Sequence, residues 1–210
     1  MIRLLDLFPD HLNLNGDRAN LLVLRRRAEW GGIAVSHDGL KPGESLPLER
    51  PDVVLIGHGS SAAWRQAYPA LRSVIPGLEQ WMRDGTQILA VSTGFAALHG
   101  LLTELPEQVN KVERVSNFVV EEFEGRTLCG YKNSDLALAD LQIFGNLYGT
   151  QLHGPLLAKN PWLADRILAE VLRQRPELKE NRLVMNAERF AQVNALVAPA
   201  IEVATEMATS

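Results

Sequence analysis

Two short apolar segments constrain the fold most, because each one ends in a turn of small residues and is followed by helix-forming sequence. The first is 53–56, "VVLI", which leads into the glycine-rich turn "GHGSS" at 57–61. The second is "QILAV" at 87–91, which leads into "STGFAALHG". Continuous apolar runs are typical of strands that are buried on both faces of a parallel sheet. Strands that alternate with helices at this spacing predict βαβ units. We therefore expect an α/β fold of three layers, with a mostly parallel central sheet flanked by helices.

The rest of the chain extends this pattern on both sides. Local signals predict the boundaries of four elements, of which the first is a strand "IRLLDLF" that ends before Pro9. A helix "DRANLLVLRRRAEW" is capped by Asn15 or Asp17 and closed by Gly31-Gly32. A second helix covers 71–85, where Pro76 kinks or breaks it, and a hairpin turns at Glu124-Gly125. "IAVS" predicts a second strand, and further strand sequence follows the hairpin. From Pro161, with Asn160 as its cap, the chain is expected to be helical.

Bulk composition limits the class of protein. The chain has 210 residues and a net charge of -4, so we expect a single domain over 1–210 and no nucleic-acid partner. Residues 176–210 are expected to form a helical extension of that domain. Cys129 is the only cysteine, which excludes an intrachain disulfide and fits a reducing compartment. Asp6 and Pro9 interrupt the N-terminal segment, and no apolar run reaches the roughly 20 residues of a membrane span. The expected location is the cytoplasm.

Three loops are candidates for chemistry, because each is expected at the carboxyl edge of the sheet, where α/β folds bind ligands. They are 57–61, 92–94 and 152–155. Ser92 stands where a strand turns into a helix, which is a position that can expose a nucleophile, and Gly94 would allow the close packing that such a turn needs. The alternative for Ser92 is an ordinary helix cap. The hydrolase motif G-x-S-x-G is not met, since position 90 is alanine.

The histidines and the cysteine have simpler interpretations beside the functional ones. His153 is either a base or a polar residue at a strand end, and His58 is either an anion ligand or a residue in a turn. Cys129 lies within a predicted strand, so a buried, unreactive thiol is expected. The other histidines lack the spacing and the acidic neighbours of metal ligands, so no metal and no cofactor is expected.

Two segments resemble a known family. "LLDLFPDHLNLNGDRANLLVLRRRAEWGGI" and "YGTQLHGPLLAKNPWLAD" are similar to the GatD-type amidotransferase subunits of lipid II isoglutaminyl synthase, in the CobB/CobQ-like branch of class I glutamine amidotransferases. The resemblance covers most of residues 1–175. It implies a class I glutamine amidotransferase-like fold, glutamine as a ligand, and a Mur-ligase-like, ATP-dependent (MurT-type) partner that amidates the D-glutamate of the peptidoglycan stem peptide.

The same resemblance assigns candidate site residues. The family's nucleophile turn reads roughly "CGGYQ", and this chain has Ser92, Thr93 and Gly94 followed by Phe-Ala. The family's histidine corresponds to His153, and its glycine-rich oxyanion loop corresponds to Gly57 and Gly59. A later family motif resembling "GFENHSGRT" corresponds to 130–136, "GYKNSDL", without the arginine.

These departures leave three hypotheses. Serine is a far weaker nucleophile than cysteine unless a base removes its proton, and several ligand-facing positions differ together, so a subunit with weak or lost glutaminase activity is favoured. An active amidase that uses Ser92 and His153 is the first alternative. A small-molecule-binding module that holds an anion at 57–61 is the second. A natural loss of activity is favoured over an engineered Cys-to-Ser change.

A basic face on the first helix completes the candidate features. Arg18, Arg25 and Arg26 fall on one side at spacings i, i+7 and i+8. Such a face is commonly only solvated, whereas the resemblance implies that it docks the partner subunit.

Overall fold

The structure is a computed structural model that describes residues 1–102, 109–178 and 187–209. Its strands and helices alternate as expected. The strands are β1 Ile2–Leu7, β2 Val35–Leu40, β3 Val53–Ile56, β4 Gln87–Val91, β5 Lys111–Phe123, β6 Arg126–Leu136, β7 Leu141–Phe144, β8 Leu147–Thr150 and β9 Leu152–His153. The α-helices are α1 Ala19–Trp30, α2 Ser61–Arg83, α3 Thr93–His99, α4 Leu156–Lys159, α5 Pro161–Gln174 and α6 Ala187–Thr209, with a 3₁₀ turn at Pro176–Leu178.

Six strands form the central sheet in the order β2-β1-β3-β4-β8-β7. Every neighbouring pair is parallel except β7 with β8, so the prediction of a mostly parallel sheet is confirmed. A second, antiparallel sheet has the order β5-β6-β9. Its hairpin turns at Glu124 and Gly125, which both have positive φ (50° and 74°), as a two-residue hairpin turn requires.

The core lies on both faces of the central sheet, because the apolar side chains of its strands alternate between two layers of helices. In β3, Val53 and Leu55 pack with α1 and α5 on one face, and Val54 and Ile56 pack with α2 and α3 on the other. This arrangement confirms the three-layer α/β fold. It also places the ends of β3, β4 and β8 at one edge of the sheet.

Several predicted boundaries are wrong. Neither Asn15 nor Asp17 caps α1, whose N-cap position is Arg18 and receives no side-chain cap. Asn160 precedes α5, but its side chain binds the backbone N–H and C=O of Cys129 instead of capping the helix. The second strand is Val35–Leu40 and not 33–36. Cys129 is buried and free, as predicted.

Helix α2 begins ten residues earlier than predicted. It starts at Ser61, directly after the glycine-rich turn, and both Pro69 and Pro76 lie inside it. Ser60 caps it by accepting a hydrogen bond from the N–H of Ala63 (3.2 Å). The early start brings the first turn of α2 next to the loop that follows β4. No helix among the described residues is long and apolar enough to cross a membrane.

Candidate functional site

The three predicted loops meet at the carboxyl edge of the central sheet. The backbone N–H of Ser92 donates to the carbonyl of Thr150 at 2.6 Å, which ties the end of β4 to the end of β8. The loop after β3 contacts the loop after β4 through Gly59 and Thr93. It also contacts the segment after β8, because the rings of His58 and His153 pack edge to face with centroids 4.7 Å apart. The structure therefore brings together the residues that the sequence selected.

Ser92 occupies a strained turn between β4 and α3. Its backbone has φ 49° and ψ −109°, a region that non-glycine residues rarely adopt and that costs about 1–3 kcal/mol. The residue takes the N-cap position of α3, but its side chain makes no capping hydrogen bond. The helix-cap interpretation is therefore correct for the position of Ser92 in the chain, but it gives no role to the serine hydroxyl. The residue is 2% exposed. A strained strand-to-helix turn of this kind is the geometry by which α/β enzymes position a nucleophile.

Gly94 allows this turn to pack against the end of β3. A Cβ at position 94 would lie 2.5 Å from the carbonyl oxygen of Ile56 and 2.7 Å from that of Gly57. Both distances are far inside van der Waals contact, and both atoms belong to backbone that cannot swing away. Any side chain here would push α3 off the sheet, which explains the need for glycine two residues after Ser92.

His153 is buried, and both of its ring nitrogens are engaged. Nε2 lies 3.2 Å from the carbonyl oxygen of Asn133, which can only accept, so Nε2 carries the proton. Burial lowers the pKa of His153, although the Asn133 hydrogen bond opposes this effect, and the ring is therefore neutral at pH 7. Nδ1 must then accept from the Asn15 side-chain amide, at 2.8 Å. In this arrangement no lone pair of His153 is available to take a proton from Ser92.

His58 lies between the turn that contains Ser92 and Thr93 and the ring of His153. Its Nδ1 is 3.0 Å from Thr93 Oγ1, while its ring packs on that of His153. Burial is the main reason that its pKa falls to about 4, and it is lowered further by repulsion from His153 when that ring is protonated and from the positive charge of Arg114. His58 is thus neutral at pH 7. Its backbone N–H donates to Oδ2 of the buried Asp17, at 2.8 Å.

Thr93 has a side chain that is bonded on every side. Its Oγ1 accepts from the indole N–H of Trp64 at 2.7 Å and from the backbone N–H of Gly59 at 3.1 Å. The hydroxyl proton points to His58 Nδ1 or to the carbonyl of Gly59 at 3.3 Å. A hydroxyl has two lone pairs and one proton, so all of its hydrogen-bonding capacity is used.

The glycines of the loop after β3 are required by packing. A Cβ on Gly57 would lie 1.9 Å from the carbonyl oxygen of Leu12, and one on Gly59 would lie 2.7 Å from Leu12 Cδ2 and 2.9 Å from the carbonyl oxygen of His11. The loop before α1 therefore lies directly over the turn. The backbone N–H groups of His58 and Gly59 already have protein partners, Asp17 and Thr93.

Two buried carboxylates support this edge of the sheet. Asp17 is fully buried with one oxygen unpartnered, and burial raises its pKa to about 6 against the opposing hydrogen bond from His58. Asp6, at the end of β1, has its pKa raised to about 7, again mainly by burial. Arg18 lies 3.1 Å from Asp6, but because its own side chain is 46% exposed, its attraction only partly offsets the desolvation of the carboxylate.

A surface cavity of about 510 Å³ opens beside Thr93. It is lined by Gly59, Ser61, Trp64, Arg65, Tyr68, Thr93, Ala96 and Ala97. Ser92 and His153 do not line it. The candidate oxyanion loop and Thr93 thus face solvent on the side of α2, whereas His153 lies under Asn15. Among the described residues, no group of three or more His, Cys, Asp or Glu side chains could hold a metal ion.

Sequence reasoning missed three residues of this site. Trp64 gave no signal, because the segment before residue 71 was not predicted as helix. Asn15 and Asp17 were noticed only as helix caps. Polar side chains in a loop at the carboxyl edge were the available clue, since that edge is where ligands and their supporting groups collect.

The predicted basic face on α1 is largely neutralised. Arg25 and Arg26 both pair with Glu29, at 2.7 and 3.0 Å, and Arg18 pairs with Asp6. Arg26 remains the most exposed of the three, at 70% of its side chain.

Comparison with known proteins gives a sequence relative and structural neighbours, although no family model matches the chain. The chain is 27% identical over 195 residues to the lipid II isoglutaminyl synthase (glutamine-hydrolyzing) subunit GatD of Staphylococcus aureus, with 76% of this chain and 79% of the relative covered. A glutamine amidotransferase from Thermotoga maritima superposes with a TM-score of 0.51 at 16% identity, over 98% of this chain and 97% of that one. PurLQS from Thermotoga maritima gives a TM-score of 0.48 at 14% identity, over 82% of this chain and 98% of that one. The chain thus has a glutamine amidotransferase-like α/β fold and is similar in sequence to GatD.

Proposed function

We propose that this chain is a GatD-like amidotransferase subunit whose own glutaminase activity is weak or absent. Its partner is a Mur-ligase-like, ATP-dependent (MurT-type) subunit that amidates the D-glutamate of the peptidoglycan stem peptide. Similarity to the GatD subunit supports the type of complex. The chain's role in that complex is to stabilise or regulate the ligase-like subunit, and it works in the cytoplasm.

One observation carries the loss of activity. Ser92 keeps the strained turn of a nucleophile, but His153 has its Nε2 proton directed to Asn133 and its Nδ1 lone pair directed to Asn15. A serine hydroxyl needs a base to become a useful nucleophile at pH 7. General-base catalysis supplies about 10²–10⁴-fold, and this arrangement forgoes it.

The amidase alternative is favoured by the Ser92 turn and opposed by the hydrogen bonds of His153. It requires the His153 ring to give up one of its two partners before the base can act. It predicts that a glutamine-like electrophile labels Ser92 and that His153→Ala abolishes the labelling. The absence of labelling in the assembled complex would exclude it.

The anion-binding alternative has less support. The N–H groups of His58 and Gly59 are already bonded to Asp17 and Thr93, and the Ser60 hydroxyl is used to cap α2. An anion at 57–61 would have to displace these partners. Diffraction from crystals soaked in phosphate should therefore show no density in this loop.

The proposed function is tested by ammonia release and by association. We expect the purified chain, alone and with its Mur-ligase-like partner, to release ammonia from glutamine no faster than its Ser92→Ala variant does. Turnover of about 1 s⁻¹ or more, which is ordinary for an enzyme, would refute the loss of activity.

The association arm uses co-expression with the Mur-ligase-like chain and size-exclusion chromatography. We expect one complex, and we expect Arg26→Glu to weaken it because this arginine is the most exposed charge on the proposed docking face. Arg72→Glu, an exposed charge on α2, is the matched control and should leave the complex intact. Two chains that elute separately at micromolar concentration would refute the partnership.

A further inference from the structure

Two hydrogen-bond donors converge on one oxygen atom beside Ser92. They are the backbone N–H of Gly59, at 3.1 Å, and the indole N–H of Trp64, at 2.7 Å, and the oxygen is Oγ1 of Thr93. The donors come from different elements, the turn after β3 and the first turn of α2. Nothing in local chain geometry requires them to point to the same place.

Paired donors at these distances have the geometry of an oxyanion hole. Such a hole needs donors about 2.7–3.1 Å from the point where the negative oxygen develops, and both distances fall in this range. One backbone N–H with one side-chain donor is a common composition for such a site. Here the point of convergence holds the hydroxyl of the chain's own Thr93.

The position of Thr93 relative to the open cavity agrees with this interpretation. Gly59, Trp64 and Thr93 all line the 510 Å³ cavity, so an oxygen held by the two donors lies at a surface that a ligand can reach. The cavity also carries Ser61 and Arg65, which are polar groups able to contact an amino acid. A carbonyl oxygen that binds these two donors has to displace the Thr93 hydroxyl from them.

We propose that Gly59 and Trp64 form a two-donor oxyanion hole and that the Thr93 hydroxyl fills it, which closes the site to amide substrates independently of the residue at position 92. This inference rests on the proposed function and deepens it, because it names a second block to hydrolysis. The substrate class that the opened hole would accept is the side-chain carboxamide of glutamine. Restoring a thiol at position 92 is thus insufficient unless the Thr93 oxygen is also removed.

The test is covalent labelling by a diazoketone analogue of glutamine. In this reaction the diazo carbon takes up a proton, the thiolate forms a carbon–sulfur bond to it, and dinitrogen leaves with the electron pair of the broken carbon–nitrogen bond. The variants are S92C, S92C/T93G, S92C/T93A and S92C/T93V, and peptide mass spectrometry separates position 92 from the buried Cys129. T93V is the matched control, because it keeps the shape of threonine without the oxygen.

We expect S92C/T93G and S92C/T93A to be labelled about 100-fold faster than S92C, since one oxyanion donor is worth about 10²–10³ in rate. S92C/T93V should stay as slow as S92C, because its methyl groups still fill the hole. Equal labelling rates for S92C and S92C/T93G, whether fast or slow, would overturn the inference. So would fast labelling of S92C/T93V.

A second variant separates the donor role of Trp64 from its packing. Trp64→Phe in the S92C/T93G background keeps an aromatic ring and removes the N–H, so we expect labelling to slow by about 100-fold. Trp81→Phe, on the same helix, is the control and should change nothing. Unchanged labelling in the Trp64→Phe variant would show that Trp64 is not a donor to the bound oxygen. None of these results depends on whether the wild-type chain binds a partner or hydrolyses glutamine, so the proposed function stands or falls separately.

Discussion

Replacing Asp17 with asparagine should flatten the pH dependence of stability. Asp17 is fully buried, and its pKa is raised from 3.8 to about 6, chiefly because burial disfavours the charged form. The unfolded chain has the ordinary value, so the folded state holds a proton more tightly than the unfolded state does. The resulting stabilisation is present in full below pH 4 and is lost as the pH rises through about 6.

The magnitude follows from the size of the shift. A raise of roughly two pKa units corresponds to about 3 kcal/mol, at 1.36 kcal/mol per unit. No discount for solvent screening is needed, because the carboxylate is inaccessible. Asparagine has no charged form, so the variant lacks this loss. Its amide oxygen can still accept the N–H of His58 in place of the Asp17 Oδ2 atom.

The assay is urea unfolding of both proteins between pH 4 and pH 8. We expect Asp17→Asn to gain about 3 kcal/mol relative to the wild type as the pH rises across this range, whatever its stability at pH 4. The pKa of Asp6 is also raised, to about 7, so the wild type should lose further stability as Asp6 gives up its proton with rising pH. Asp17→Asn should show this second loss as well. Glu113→Gln, an exposed change on β5, should run parallel to the wild type. A parallel curve for Asp17→Asn would refute the assigned cause.

Two packing predictions follow from the same structure. Gly149→Ala should lower the free energy of unfolding in urea by about 1–3 kcal/mol, because the added Cβ would lie 2.1 Å from the ring of Phe95. Gly100→Ala is the control and should leave the free energy of unfolding nearly unchanged, because its Cβ meets no atom closer than 3.9 Å. Arg27→Met should lower the free energy of unfolding by about 2–4 kcal/mol, because the buried guanidinium makes two hydrogen bonds to Asp165, at 2.8 and 2.7 Å. Equal stability of the variant and the wild type in urea unfolding would show that this pair contributes nothing.

The layered sheet was predictable because its signals are local. Val53–Ile56 is continuously apolar and is followed by a glycine, and the structure has a four-residue buried strand over the same residues. The hairpin turn at Glu124-Gly125 was also predicted, because glycine between two segments of high strand propensity adopts the positive φ of a tight turn without steric cost. These elements follow from periodicity and turn chemistry within a dozen residues.

The helix caps failed because their side chains are used over long distances. Asp17 was expected to cap α1 but accepts from His58, 41 positions away. Asn15 was the other candidate, and it binds His153, 138 positions away. Asn160 binds the backbone of Cys129, 31 positions away. Local propensity identifies a residue whose side chain tends to form hydrogen bonds with backbone groups. It does not identify which backbone group the fold brings close to that side chain.

The partners within the site were unpredictable for the same reason. The sequence selected Ser92 and His153 from their places at strand ends and Thr93 through the resemblance, yet nothing in it indicated that Trp64 would reach Thr93. That contact depends on where α2 begins, and the prediction placed the start at residue 71, whereas it begins at Ser61. A helix that starts directly after a strand-end turn puts its first-turn side chains beside the next turn of the sheet.

The internal satisfaction of the site's polar groups is the physical link between the fold and the proposed loss of activity. A hydrolytic site keeps donors and a base uncommitted, so that they can serve charge that develops only during reaction. In this chain the N–H of Gly59 is bonded to Thr93, and both nitrogens of His153 have protein partners. Each such bond stabilises the resting fold and must be broken before catalysis. The strained backbone of Ser92 is the feature that this chain shares with the nucleophile turns of α/β enzymes, and it persists because Gly94 holds the turn against the backbone at the end of β3.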